Sequence, residues 1–152
     1  FRAGACLRLL DPELDALNPL LPELTRQAAA LSRPEQILPA DQGNRLALPA
    51  LYGPPPQADW CAYSAWAGQA LRSGEAARAA EFADQALALE PLEEKDVMLA
   101  APFVEAYLQV GRSTDAHNLA QAMLAVEPGV SAPLCALWAR NTREVPPFLI
   151  CK

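Results

Sequence analysis

The residues of this chain best suited to chemistry are His117, the four cysteines and an acidic cluster at Glu90, Glu93 and Glu94. A lone histidine rules out a His-rich metal site and leaves little material for a Ser-His-Asp arrangement. Ser113 stands four residues before His117, and its type and place read better as a helix N-cap than as a nucleophile. His117 itself reads as a surface side chain on an outer helix. Paired carboxylates work across a cleft, and Glu90, Glu93 and Glu94 fall in a turn. No P-loop or glycine-rich dinucleotide fingerprint occurs. The expectation is a non-enzyme without cofactor or metal.

Cys6, Cys61, Cys135 and Cys151 are too widely spaced for a C-x-x-C metal or redox motif. They are expected to be reduced, partly buried thiols, since free cysteine is commonly buried. Their even number leaves an oxidising compartment open, with the cytoplasm slightly favoured. A net charge of -6 and scattered single arginines argue against a nucleic-acid surface. No apolar run reaches the roughly 20 residues that span a bilayer, so no direct membrane insertion is expected. The start, Phe1-Arg2-Ala3-Gly4, lacks Met and a signal-peptide pattern, as an excised fragment would.

The 52% hydrophobic content is largely Ala and Leu, which favours an all-helical chain with close helix contacts. Residues 1–32 suggest N-terminal helices: a short one over 1–10, a start at Asp11-Pro12, and helical spacing from Leu20 to Leu31. Residues 33–58 form a proline-rich connector ending in Pro54-Pro55-Pro56, with a short helical turn expected within 44–52.

Asp59 caps a helix over 60–72 with Trp60 and Trp66 read as core, Gly74 ends it, and a second helix covers 75–89. Ala79, Phe82, Ala83 and Ala86 point inward on that second helix. An acidic linker, 91–96, leads to a helix over 97–110 that must kink or begin at Pro102. Gly111 is its C-cap, Ser113 opens a helix over 113–126, and Tyr107 and Ala116 face inward. A capping helix covers 131–143 and an apolar tail 144–152.

The two hairpins repeat. Gly74 and Gly111, Ala79 and Ala116, Leu87 and Leu124, Glu90 and Glu127, and Pro91 and Pro128 are each 37 positions apart. A constant offset across unlike residues marks one supersecondary unit used twice. Gly74, Ala79, Ala86-Leu87 and Pro91, with Gly111, Ala116, Leu124, Pro128 and Tyr107, resemble the tetratricopeptide family over 60–130, with a half unit to about 143. Ala67 and Val104 stand where that family has a glycine, the period of 37 exceeds its usual 34, and residues 1–59 do not fit.

The resemblance implies tetratricopeptide-like hairpins stacked as a short right-handed α-solenoid, preceded by an irregular proline-rich helical N-terminal region. It also implies a groove lined by the first helix of each hairpin that receives a peptide or helix of a protein partner. Tyr63, Gln69, Arg72, Glu105 and Gln109 are the outward candidates for that contact, and each polar one also reads as an ordinary solvated face. The expected role is a scaffold or adaptor. The alternative is a small acidic chaperone, as in bacterial secretion systems, with an enzyme a distant third. The tail 144–152 offers a route to self-association, or to occupying the chain's own groove.

Overall fold

The computed structural model describes residues 6, 9–34, 58–89, 92, 97–142 and 144–151. The helical turn expected within 44–52 lies outside these residues, as do most of the 1–10 helix and of the acidic linker. The regular structure of the described residues is all-helical, with no strand among them. Six α-helices run in order: α1 (Glu23–Ala30), α2 (Trp60–Arg72), α3 (Ala76–Leu89), α4 (Ala101–Gln109), α5 (Ser113–Val126) and α6 (Ser131–Asn141). Single 3-10 turns, Val97–Ala100 and Pro128–Val130, lead into α4 and α6.

The local reasons for these boundaries are visible at each end. Asp59 accepts the Ala62 N–H at 2.8 Å and so caps α2. Helix α2 then ends in a left-handed glycine, Gly74 at φ 74°, while the Glu75 N–H returns to the Ala70 carbonyl at 2.8 Å. The end of α4 repeats this geometry: Gly111 has φ 77°, and the Arg112 N–H returns to the Tyr107 carbonyl at 2.8 Å. The same hydrogen-bonded stop therefore recurs at the 37-residue offset seen in the sequence. Pro102 sits in the first turn of α4, where its missing N–H costs nothing, and the helix starts there.

Ser113 departs from expectation. It is the first helical residue of α5, Arg112 precedes it, and no side-chain cap bond forms. Arg112 Nε instead donates to Asp115 Oδ2 at 2.6 Å, within the first turn of α5.

Packing follows the small residues. Helix α2 lies on α3, α3 on α4 and α4 on α5, while α2 also meets α4 and α4 meets α6. Ala67 and Ala70 of α2, Ala79, Ala83 and Ala86 of α3, and Ala116 and Ala120 of α5 are buried at these crossings. Small side chains let the backbones approach, and Phe103, Tyr107, Met123 and Trp138 fill the remaining volume. Trp60 packs on Phe103 with ring centroids 5.3 Å apart. Trp66 is not a core residue: it is 45% exposed and clusters with Tyr63 and Phe82 on the α2–α3 side. Helix α1 likewise buries Ala29 and leaves Leu24 exposed, as is Leu31 just past its end, so the leucine spacing does not mark an inward stripe.

The cysteines are not free. Cys6 is bonded to Cys61 and Cys135 to Cys151. Sequence spacing excludes local motifs but says nothing of pairs brought together by folding, and 55 residues separate the first pair. The second bond fastens the C-terminal tail to α6. Within that tail Pro146 and Leu149 are buried, and Phe148 lies against Trp138 and His117, with centroids 6.3 and 5.6 Å away. His117 is therefore a half-buried side chain between aromatic rings, not a surface one, because the tail folds back over it.

Candidate functional site

A cleft of about 870 Å³ opens on the side of the molecule formed by α2, α4 and the end of α6. Gln69 and Arg72 line it from α2, Glu105 and Gln109 from α4, and Arg140 from α6. Four of the five candidates read from the sequence thus share one surface. Their helical register explains this: residues 69 and 72, and residues 105 and 109, are spaced to lie on one side of their helices. Tyr63 is not among the lining residues. It faces Trp66 edge-on at 5.4 Å and Phe82 at 6.3 Å, and so belongs to the aromatic cluster beside α3.

The helix wall is cross-linked by polar contacts. Arg72 Nη2 donates to Gln69 Oε1 at 3.1 Å. Gln109 Nε2 donates to Glu105 Oε1 at 3.4 Å and to Asn141 Oδ1 at 3.2 Å. Ser64, buried in the cleft floor, donates to the Leu99 carbonyl at 2.8 Å and ties α2 to the turn before α4.

The opposite wall is the chain's own N-terminal segment, residues 9–15. Arg140 joins the two walls. Its Nη2 donates to Glu105 Oε2 at 2.6 Å and its Nη1 to Asp11 Oδ2 at 2.9 Å, with Glu13 Oε2 at 3.6 Å. Burial alone would lower the affinity of Arg140 for its proton, but Glu105 and Asp11 outweigh it and hold the guanidinium charged. Burial likewise pushes the Asp11 carboxyl up. The Leu14 N–H, Arg140 and the Glu13 N–H more than compensate, leaving it below the usual carboxylate range. Arg72 is shifted down by burial, with Asp11 opposing.

The N-terminal segment holds its own shape. Asp11 Oδ1 accepts the Glu13 and Leu14 N–H groups, both at 2.9 Å, and Asp15 Oδ2 accepts the Asp11 N–H at 2.8 Å. Asn18 Oδ1 accepts the Leu20 N–H at 3.0 Å. The Asp11-Pro12 start signal is thus used as a capped turn rather than as the opening of an α-helix. Leu14 joins the hydrophobic core, Asp15 and Asn18 are buried, and a Cβ on Gly129 would meet Pro19 Cγ at 3.1 Å. Sequence reasoning missed Arg140 and Asp11, and no local signal points to a pair 129 residues apart.

A second polar group links the two hairpins. Tyr107 Oη donates to Asp84 Oδ1 at 2.7 Å, Arg112 Nη1 donates to Asp84 Oδ2 at 2.8 Å, and the Arg112 guanidinium lies 4.4 Å from the Tyr107 ring centroid. The bond from Arg112 lowers the Asp84 pKa, and burial followed by the Asp84 contact raises that of Tyr107. This is a structural clamp, set away from the cleft. Among the described residues no helix is long and apolar enough to cross a membrane. No protein-family model, curated protein or solved structure matches this chain.

Proposed function

We propose that the chain is a non-catalytic protein-interaction module of scaffold or adaptor type, whose cleft takes a peptide or helix of a protein partner. In this reading α2–α3 and α4–α5 are two tetratricopeptide-like hairpins, α6 is a capping half unit, and the set is a short right-handed solenoid. Support comes from the repeated glycine stop at Gly74 and Gly111 and from the contacts of alternate helices, α2 with α4 and α4 with α6.

The observation that carries the functional reading is the convergence of Gln69, Arg72, Glu105 and Gln109 on one cleft. A concave surface with a largely apolar lining and a few placed polar groups is suited to holding a ligand. Two disulfides favour an oxidising compartment, because the cytosol keeps thiols reduced. They weigh against the cytoplasm and, with it, against a chaperone that works there.

The test is a displayed random-peptide library selected on the disulfide-intact protein. Selected peptides should lose at least tenfold in affinity for Arg72→Glu and Gln69→Ala, with helix content unchanged by circular dichroism. They should be indifferent to Glu81→Ala, on the exposed side of α3. Peptides that ignore both cleft variants would transfer the binding role to another face.

A further inference from the structure

The wall formed by residues 9–15 differs in kind from the helix wall. The N-terminal segment meets its internal hydrogen-bonding needs through Asp11, Asp15 and Asn18, so it behaves as a preformed knob. Among the contacts that fasten it to the body are the Asp11 carboxylate on Arg140, with Glu13 at 3.6 Å, and the Leu14 side chain in the core. Upstream of these contacts, Cys6 ties the segment to Cys61, the second residue of α2.

These observations combine on one surface. We infer that residues 9–15, which line the cleft opposite the helices, are a built-in occupant of a docking site beside it, Asp11 on Arg140 and Leu14 in the core, and that the partner segment admitted in their place carries a carboxylate three residues ahead of an apolar side chain, as Asp11 and Leu14 do. The inference rests on the cleft being the interaction surface proposed above. It adds the chemistry of the occupant and a competitor for it. An acidic chain would ordinarily steer basic partners, but the local field decides here. Among the described residues the helix wall presents Arg72 and Arg140 to the cleft against the single carboxylate of Glu105, and Arg140 holds Asp11 as well as Glu105.

Tethering sets the strength of the competition. A segment joined to its own site acts at a high effective concentration, up to about millimolar for a short flexible connection. The Cys6–Cys61 bond adds a second tether at the upstream end, so a partner must displace a segment held from both sides. Loosening that tether and removing the Asp11 carboxylate both lower the occupant's advantage without changing any helix residue that lines the cleft.

The probe is a fluorescent synthetic peptide with the sequence of residues 9–21, titrated by anisotropy into the full chain. The Cys6→Ser/Cys61→Ser/Asp11→Ala variant should bind it at least tenfold tighter than the oxidised parent. A peptide carrying D11N or L14A should lose at least tenfold on the same variant. Amide exchange at residues 13–21 should rise at least tenfold, while that of Tyr107 and Met123 stays unchanged and so shows the body folded. Should the triple variant unfold, Asp11→Ala with both disulfides intact is read instead, with a smaller gain in the same direction. Unchanged exchange at residues 13–21 overturns the inference, and so does faster exchange without tighter peptide binding. If this peptide fails while library peptides still map to Gln69 and Arg72, the cleft reading stands and the competitor falls. If those fail as well, the cleft reading falls with it.

Discussion

Arg140, at the end of α6, donates to Asp11 at 2.9 Å across 129 residues of sequence, and the same guanidinium holds Glu105 of α4 at 2.6 Å. One side chain thereby fixes the N-terminal segment, the middle of the helical array and its last helix in a common register. Its side chain is only 26% exposed, so truncating it removes the bonded cation from two partly desolvated carboxylates, which keep only their weaker donors. Arg140→Ala is expected to cost about 2 kcal/mol, measured by urea denaturation, and to speed amide exchange in residues 13–21 more than in α3.

The Asp11 carboxyl titrates below its ordinary value in the folded chain. Between the folded and unfolded pKa values the unfolded state binds more protons, so stability rises with pH through that window. The contribution of Asp11 is full above the unfolded value of about 3.9 and is lost as pH falls through the folded one. Melts from pH 6 to pH 2 should show a steeper acid loss for the parent than for Asp11→Asn. Asp84 is lowered too, chiefly by Arg112, so the variant keeps a residual slope. Equal slopes in the two proteins would refute the assignment.

Ala79 and Ala116 are fully buried at equivalent helix crossings, 37 residues apart. Leucine at either position must push two backbones apart, and each substitution is expected to destabilise by about 1–3 kcal/mol. Thermal melts check this. Unchanged melting temperatures would mean that these crossings are looser than the packing implies.

Peptide mapping without reductant should recover Cys6 joined to Cys61 and Cys135 to Cys151, with no thiol open to alkylation. The second bond closes a loop with a sequence separation of 16, so Cys135→Ser with Cys151→Ser should cost about 3 kcal/mol on the chain-entropy account. The same change frees the tail that covers Trp138, which is 1% exposed, and tryptophan emission should move to the red. A scrambled pairing in the mapping would refute the connectivity.

Tyr107→Phe removes the hydroxyl that bonds Asp84 but leaves the ring under Arg112. Asp84 stays 49% exposed and keeps Arg112, so solvent screening limits the loss to about 1 kcal/mol. Asp84→Ala breaks both bonds and should cost more, which a paired denaturation experiment resolves.

The helical hairpins were legible in the sequence because their signals are local. Asp59 caps, Gly74 and Gly111 adopt the left-handed conformation, Pro102 starts a helix, and alanines recur on one side; each acts within a turn or two of its own position. Register alone likewise puts Gln69 with Arg72 and Glu105 with Gln109 on shared helix sides. Folding decided everything that depends on segments meeting from afar. Free energy of this kind comes from burial and from ion pairs formed only after chain closure, so the cysteine partners, the Arg140–Asp11 pair and the tail over His117 leave no local pattern. Tyr63 and Trp66 show the same division: their helix was readable, but the side of it that would find Phe82 was settled only when α3 packed against α2.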